Sequence, residues 1–126
     1  ADYRLLLERH TSISRRTEHR SDGIRAWTTS TDPEVAQILQ RHARDMKQRF
    51  SKGRAIRSWD VLFQRLYEYR DVVHVQLTML PDGVYAELSS VDPSVVPYIY
   101  AHGRTLVNWV RSGFPAAKEA SPLPPL

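Results

Sequence analysis

The 126-residue chain has no cysteine, and that absence removes disulfides, iron–sulfur clusters, thiolate zinc sites and cysteine nucleophiles together. Any metal site must draw on His, Met, Tyr or carboxylates. Long apolar runs are also missing: nothing approaches the roughly eighteen consecutive apolar residues of a membrane span, and the first residues lack the basic-then-apolar layout of a signal peptide. Glycine is scarce, with five residues and no phosphate-cradling loop among them, and neither a GxSxG elbow nor an HExxH helix occurs. An enzyme is therefore the less expected class. Eighteen Lys and Arg against fourteen Asp and Glu leave a net charge of +4, spread along the chain rather than clustered, so a nucleic-acid partner is not expected. One domain of this length buries roughly two thirds of its unfolded surface and needs no crosslink or metal to fold. The chain begins at Ala1, which fits a mature protein cut after export, and a periplasmic or secreted address is the expectation.

What is present is an internal correspondence. Shifted by sixty positions, Asp22-Gly23, Ala26, Ser30, Asp32-Pro33, Val35, His42, Arg44 and Gly53 fall on Asp82-Gly83, Ala86, Ser90, Asp92-Pro93, Val95, His102, Arg104 and Gly113. The surrounding patterns agree. Residues 11–20 alternate in polarity as an edge strand does, Ser21-Asp22-Gly23 is a hairpin signal in which Gly accepts a positive φ, and Ile24 to Thr29 is the partner strand. Asp32 then caps a helix from Pro33 to about Lys52 with Val35, Leu39, His42, Met46 and Phe50 on one face, and Gly53 ends it. The second unit repeats this with a strand from Val72 to Leu80, a turn at Pro81-Asp82-Gly83, a strand from Val84 to Ser89 and a helix capped by Asp92. Its face carries Val95, Ile99, His102, Leu106 and Trp109, and Gly113 stops it. Between the units Ser58 caps a third helix from Trp59 to about Tyr69, with Trp59, Leu62, Phe63, Leu66 and Tyr67 as its stripe.

Each ββα unit has a sheet face and a helix stripe that need a partner to be buried. The expected architecture is α+β, a tandem duplication of a ββα unit. Its four-stranded antiparallel sheet carries the two long helices on one face and the third helix as an insertion. The single domain spans 1–114, with repeats at about 11–53 and 71–113 and the insertion at about 58–69. A Pro-rich extended tail covers 115–126.

Once caps and turns are set aside as structural, His42 and His102 are the unexplained matched pair. His42 and Met46 lie one turn apart on one face, a soft-metal half-site that prefers copper, and His102 from the facing helix and His10 from the arm complete a ligand set of His42, His102, Met46 and His10. Haem is the neighbouring alternative, since His/Met and His/His are both axial pairs. The plain reading stands beside each: a histidine on an apolar face is commonly a hydrogen-bonded core residue, Met46 a core filler, and His10 a loop residue. His74 alternates with Val73 and Val75 and points to solvent, as His19 does. Asp60 and Glu68 read as a first-turn charge and a solvated side chain. The Ser-x-Asp-Pro segments are caps rather than nucleophiles.

Gly23-x-x-Ala26-x-Thr28-Thr29-Ser30-Thr31-Asp32-Pro33-Glu34-Val35, His42-x-x-x-Met46, Gly53-Arg54-Ala55-Ile56-Arg57-Ser58-Trp59-Asp60-Val61-Leu62-Phe63, Ser90-Val91-Asp92-Pro93 and Ala101-His102 together resemble a group of small, uncharacterised bacterial proteins, usually exported. The resemblance covers about positions 5 to 114. It implies the fold and a periplasmic address and carries no settled activity. Two positions depart from it: Val61 stands where proline is usual after Trp-Asp, and Tyr69 where a histidine is usual. The reading drawn from all of this is a periplasmic transition-metal protein, copper first, in binding, storage or delivery. The alternative is a non-catalytic accessory subunit or interaction module that docks through the arm at Asp2 to Arg9, the Pro-rich tail and the surplus aromatics.

Overall fold

Two hairpins with two-residue turns at Ser21-Asp22 and Pro81-Asp82 organise the chain. The computed structural model describes residues 2–54, 57 and 59–124. Strands β1 (Ile13–Arg20), β2 (Gly23–Ser30), β3 (His74–Leu80) and β4 (Gly83–Ser89) form one antiparallel sheet in the order β1-β2-β4-β3. The register is the same in both halves: Ser14 lies opposite Thr29 as His74 lies opposite Ser89, and Arg20 opposite Gly23 as Leu80 opposite Gly83. At the centre Ala26 pairs with Ala86. Ser30 N donates to Asp82 O and Ser90 N to Asp22 O, both at 2.9 Å. A pseudo-twofold axis therefore runs through the Ala26–Ala86 pair.

The matched glycines follow from that axis, for a reason other than the turn chemistry expected. Neither Gly23 nor Gly83 has a positive φ. A Cβ on Gly23 would lie 1.8 Å from Leu88 O, and one on Gly83 2.1 Å from Thr28 O. The two central strands approach so closely at both ends of their pairing that a side chain has no room.

Helices α2 (Pro33–Ser51) and α4 (Val96–Ser112) cover the sheet face that carries Ile13, Ile24, Ala26 and Thr28. Val35 and Leu39 of α2 pack with Ile13, and Ile99 of α4 with Ile24. Asp32 caps α2 by accepting from Glu34 N at 3.0 Å, and Gly53 at φ 72° ends it. In the second half Asp92 accepts from Ser94 N at 3.0 Å, yet α4 begins only at Val96. Pro97 lacks the N–H that would bond back to Pro93, so residues 93–95 form a turn instead of a helical start. Gly113 at φ 70° ends α4.

Three further expectations shift. The inserted helix α3 runs Val61–Glu68 with Asp60 as its cap, accepting from Leu62 N at 3.0 Å; Ser58 lies outside the described residues. Trp59 therefore stays off the helix and 59% exposed, while Leu62 and Leu66 are buried. Strand β3 starts at His74 because Arg70–Val72 forms a 3-10 turn. The tail is not wholly extended: after Gly113 a single turn, α5 (Phe114–Ala117), forms with Pro115 near its start, where a missing N–H costs nothing. At the other end, α1 (Asp2–Glu8) and a 3-10 turn at His10–Ser12 lead into β1. Among the described residues no helix is long and apolar enough to cross a membrane.

Candidate functional site

The four residues singled out for a metal occupy different places. His10 Nδ1 lies 2.7 Å from Val110 O, so that nitrogen carries the proton and donates. The ring rests on Gly113, where an added Cβ would come 2.6 Å from His10 Cδ2. His10 thus ties the arm to the end of α4 and satisfies one of its terminal carbonyls. His42 is half-buried and stacks on Tyr3, with ring centroids 6.3 Å apart. Tyr3 meets Trp109 edge-on at 6.0 Å, Trp109 stacks on Phe63 at 5.7 Å, and Phe63 meets His102 edge-on at 5.3 Å. Three aromatic rings thus run between the two histidines. Met46 is half-buried on α2. Among the described residues no group of three or more His, Asp or Glu side chains is arranged to hold a metal ion.

His102 has neighbours that periodicity did not bring forward. Its Nδ1 is enclosed and has no hydrogen-bond partner among the described residues, and the same holds for Arg15 Nε and Thr105 Oγ1. Arg15 stands on the helix-covered face of β1, two residues beyond Ile13, and its NH1 donates to Thr28 Oγ1 at 2.8 Å. No carboxylate pairs with it among the described residues, and burial pulls its guanidinium down to about 10. Burial likewise lowers His102, to about 4, with the Arg15 charge adding to the effect and Asp60 opposing it. His102 is therefore a neutral imidazole at ordinary pH. Thr105 follows it by one turn of α4 and also borders a crevice of about 90 Å³ beneath the tail, lined by Asn108, Trp109, Glu119 and Ser121 but by neither His102 nor Arg15.

The wall towards α3 is a closed network. Asp60, fully buried, accepts through Oδ2 from Arg57 Nε at 2.9 Å, Ser121 Oγ at 2.7 Å and Ser121 N at 3.1 Å. Burial pushes its carboxyl up, but the bonds from Ser121 and Arg57 outweigh this and hold it below the usual carboxylate range. Arg57 lies over Trp59 at 4.0 Å and Trp109 at 4.6 Å, and its NH2 donates to Glu119 O at 2.8 Å. The Asp60 charge is thus spent on Arg57, and the Arg15 charge has no such answer.

Of the site residues, His102 was legible from the matched pair. Arg15 could have been found from strand parity, since it shares the face of Ile13. Thr105 carried no signal beyond its place one turn after His102. No family model, curated protein or solved structure matches the chain.

Proposed function

We propose that this protein is a non-catalytic binding module that takes up a small monovalent anion, a carboxylate of formate or acetate size, between Arg15, His102 and Thr105. One observation carries the reading: a desolvated guanidinium with an unpaired Nε and no acidic partner. A half-buried guanidinium with an enclosed, unpaired Nε is costly, and an anion received by Arg15 Nε–H and the Thr105 hydroxyl would offset that cost. The His102 nitrogen is adaptable, because its tautomer adjusts to a donor or an acceptor. The three unpaired atoms are enclosed, which limits the ligand to a few heavy atoms. A periplasmic address belongs to this proposal on the resemblance alone, and descent of the two halves from one duplicated unit on the sixty-residue internal correspondence.

The test is thermal unfolding of the whole chain in rising formate or acetate, with a bulky sulfonate keeping ionic strength constant. Saturable stabilisation is expected, reaching about 2.7 kcal/mol at a hundredfold excess over Kd, and Arg15→Gln should abolish it. An equal response in Arg15→Gln, or in the sulfonate alone, overturns the reading.

Copper is the second reading, supported by the unpaired Nδ1 of His102 and by the one-turn spacing of His42 and Met46. Electrostatics weighs against it, since the Arg15 cation that lowers His102 also repels a metal ion. Metal analysis of untagged protein beside His42→Ala and His102→Ala decides it: metal that falls in both variants supports copper, and equal, negligible metal in all three ends it. Haem, its variant, requires a Soret band after reconstitution.

A further inference from the structure

Round α4 from Thr105, and sharing Asn108 with the crevice there, lies a second opening. Thr17 and His19 of β1 face Arg104, Asn108 and Arg111 of α4 across a groove of about 320 Å³, floored by Ile24, Gly103 and Val107. Positions 104, 108 and 111 are spaced i, i+4 and i+7, so their side chains form one stripe along the helix. Gly103 lets the helix settle deeply there: a Cβ on it would come 2.9 Å from Ile24 Cδ1.

Charge sets this groove apart. Several arginines elsewhere are committed: Arg9 to Asp32 and Glu34, Arg20 and Arg25 to Glu87, Arg57 to Asp60, Arg65 to Glu68. Arg104 and Arg111 have no ion pair or hydrogen bond among the described residues, and no Asp or Glu lines the groove. Both guanidiniums hold their full set of donors for a phosphate, which they bind in bidentate fashion. The His19 ring lies flat on Tyr100, with centroids 4.2 Å apart and planes 4° off parallel. One ring face is covered by Tyr100, and because His19 is exposed and lines the groove, the other face is open to stacking. Basic rim, apolar floor and flat ring together ask for a ligand with a phosphate, an apolar middle and a planar ring.

We infer that the β1–α4 groove binds a nucleoside phosphate, with the phosphate between Arg104 and Arg111 and the base against His19. The same chemistry is offered by a free nucleotide and by one unit of a single strand. The groove is lined by none of Arg15, His102 and Thr105, so this site stands or falls independently of the anion site.

The whole chain is titrated at low salt with adenosine 5′-monophosphate, adenosine, inorganic phosphate and an eight-nucleotide oligoadenylate. The monophosphate should bind at least tenfold more tightly than adenosine or phosphate alone. Arg104→Gln and Arg111→Gln should each weaken it about tenfold, the loss expected for one charge-assisted contact, and His19→Ala should narrow its advantage over inorganic phosphate. Arg65→Gln, on the exposed side of α3, should change nothing. A per-site affinity for the oligoadenylate well above that of the monophosphate identifies a strand as the source, and equal affinities identify the free nucleotide. Should a variant fold poorly, amide shifts of the native protein decide: monophosphate-induced shifts at Thr17, Gly103 and Val107 support the site. Shifts elsewhere, no binding, phosphate binding as tightly as the monophosphate, or undiminished binding in both folded arginine variants overturns it.

Discussion

The Arg15 charge adds to the burial that lowers His102. A histidine that burial and a nearby cation hold at about 4 takes up its proton far more readily once the chain unfolds, where its value is near 6.5. The unfolded state therefore binds more protons between those values, and stability rises with pH across that window. Acidification from about pH 6.5 to pH 4 should cost up to about 3 kcal/mol at this one residue. His102→Gln should flatten that limb of the stability–pH curve, measured by urea unfolding; an unchanged slope refutes the assignment. Asp60 acts below this range, because its lowered carboxyl loses its contribution only as pH falls beneath the ordinary carboxylate value. Arg57 is the other residue of consequence. It adopts φ 52°, uncommon for a side-chain-bearing residue, and is held there by Asp60, Glu119 O and two tryptophan rings. Lysine has neither the planar fork nor the stacking surface, so Arg57→Lys should lower stability by about 2–3 kcal/mol in the same assay. The Arg-x-Trp-Asp stretch that marks the resemblance thus has a structural use, a clamp on the tail.

At the scale of elements, the hairpins, caps and helix faces were legible because they answer to local chemistry. Period-two alternation marked the strands, and Asp before Pro marked the start of α2. The misplacements have local causes as well. Pro97 delays α4, Asp60 rather than the residue before Trp59 caps α3, and α5 uses Pro115 at its start. The glycines were the instructive case. A turn rationale pointed to positive φ at Gly23, whereas the cause there and at Gly83 is a neighbouring strand some sixty residues away, which no local pattern reveals. Gly23→Ala and Gly83→Ala should each therefore destabilise by about 3 kcal/mol, the upper end for overpacking, with comparable losses because the two sites are related by the pseudo-twofold axis. A loss below about 1 kcal/mol in either, read by thermal or urea unfolding, would refute the close-approach explanation.

For the whole molecule, the tail is an integral wall of the fold. Ser121 is buried and gives two hydrogen bonds to Asp60, so removing the chain from Ser121 onward should strip Asp60 of both and cost about 1–3 kcal/mol. A truncated chain as stable as the native one would show that the tail only rests on the surface. Helix α4 presents more than the one apolar stripe that its periodicity marked. His102 and Thr105 face α3 and the tail, Ile99 faces the sheet, and Arg104 and Arg111 line the groove beyond β1. By itself the sequence determined the elements and their antiparallel, pseudo-symmetric assembly, because alternation, helical period and capping act over a few residues and amphipathic faces need partners. Only the tertiary structure decided the site. Residues 15, 60, 102, 105 and 121 have no common spacing, and whether a buried polar atom is satisfied depends on what distant elements bring against it. Packing left three aromatic rings between the matched histidines and a half-buried Arg15 without a counter-charge among the described residues.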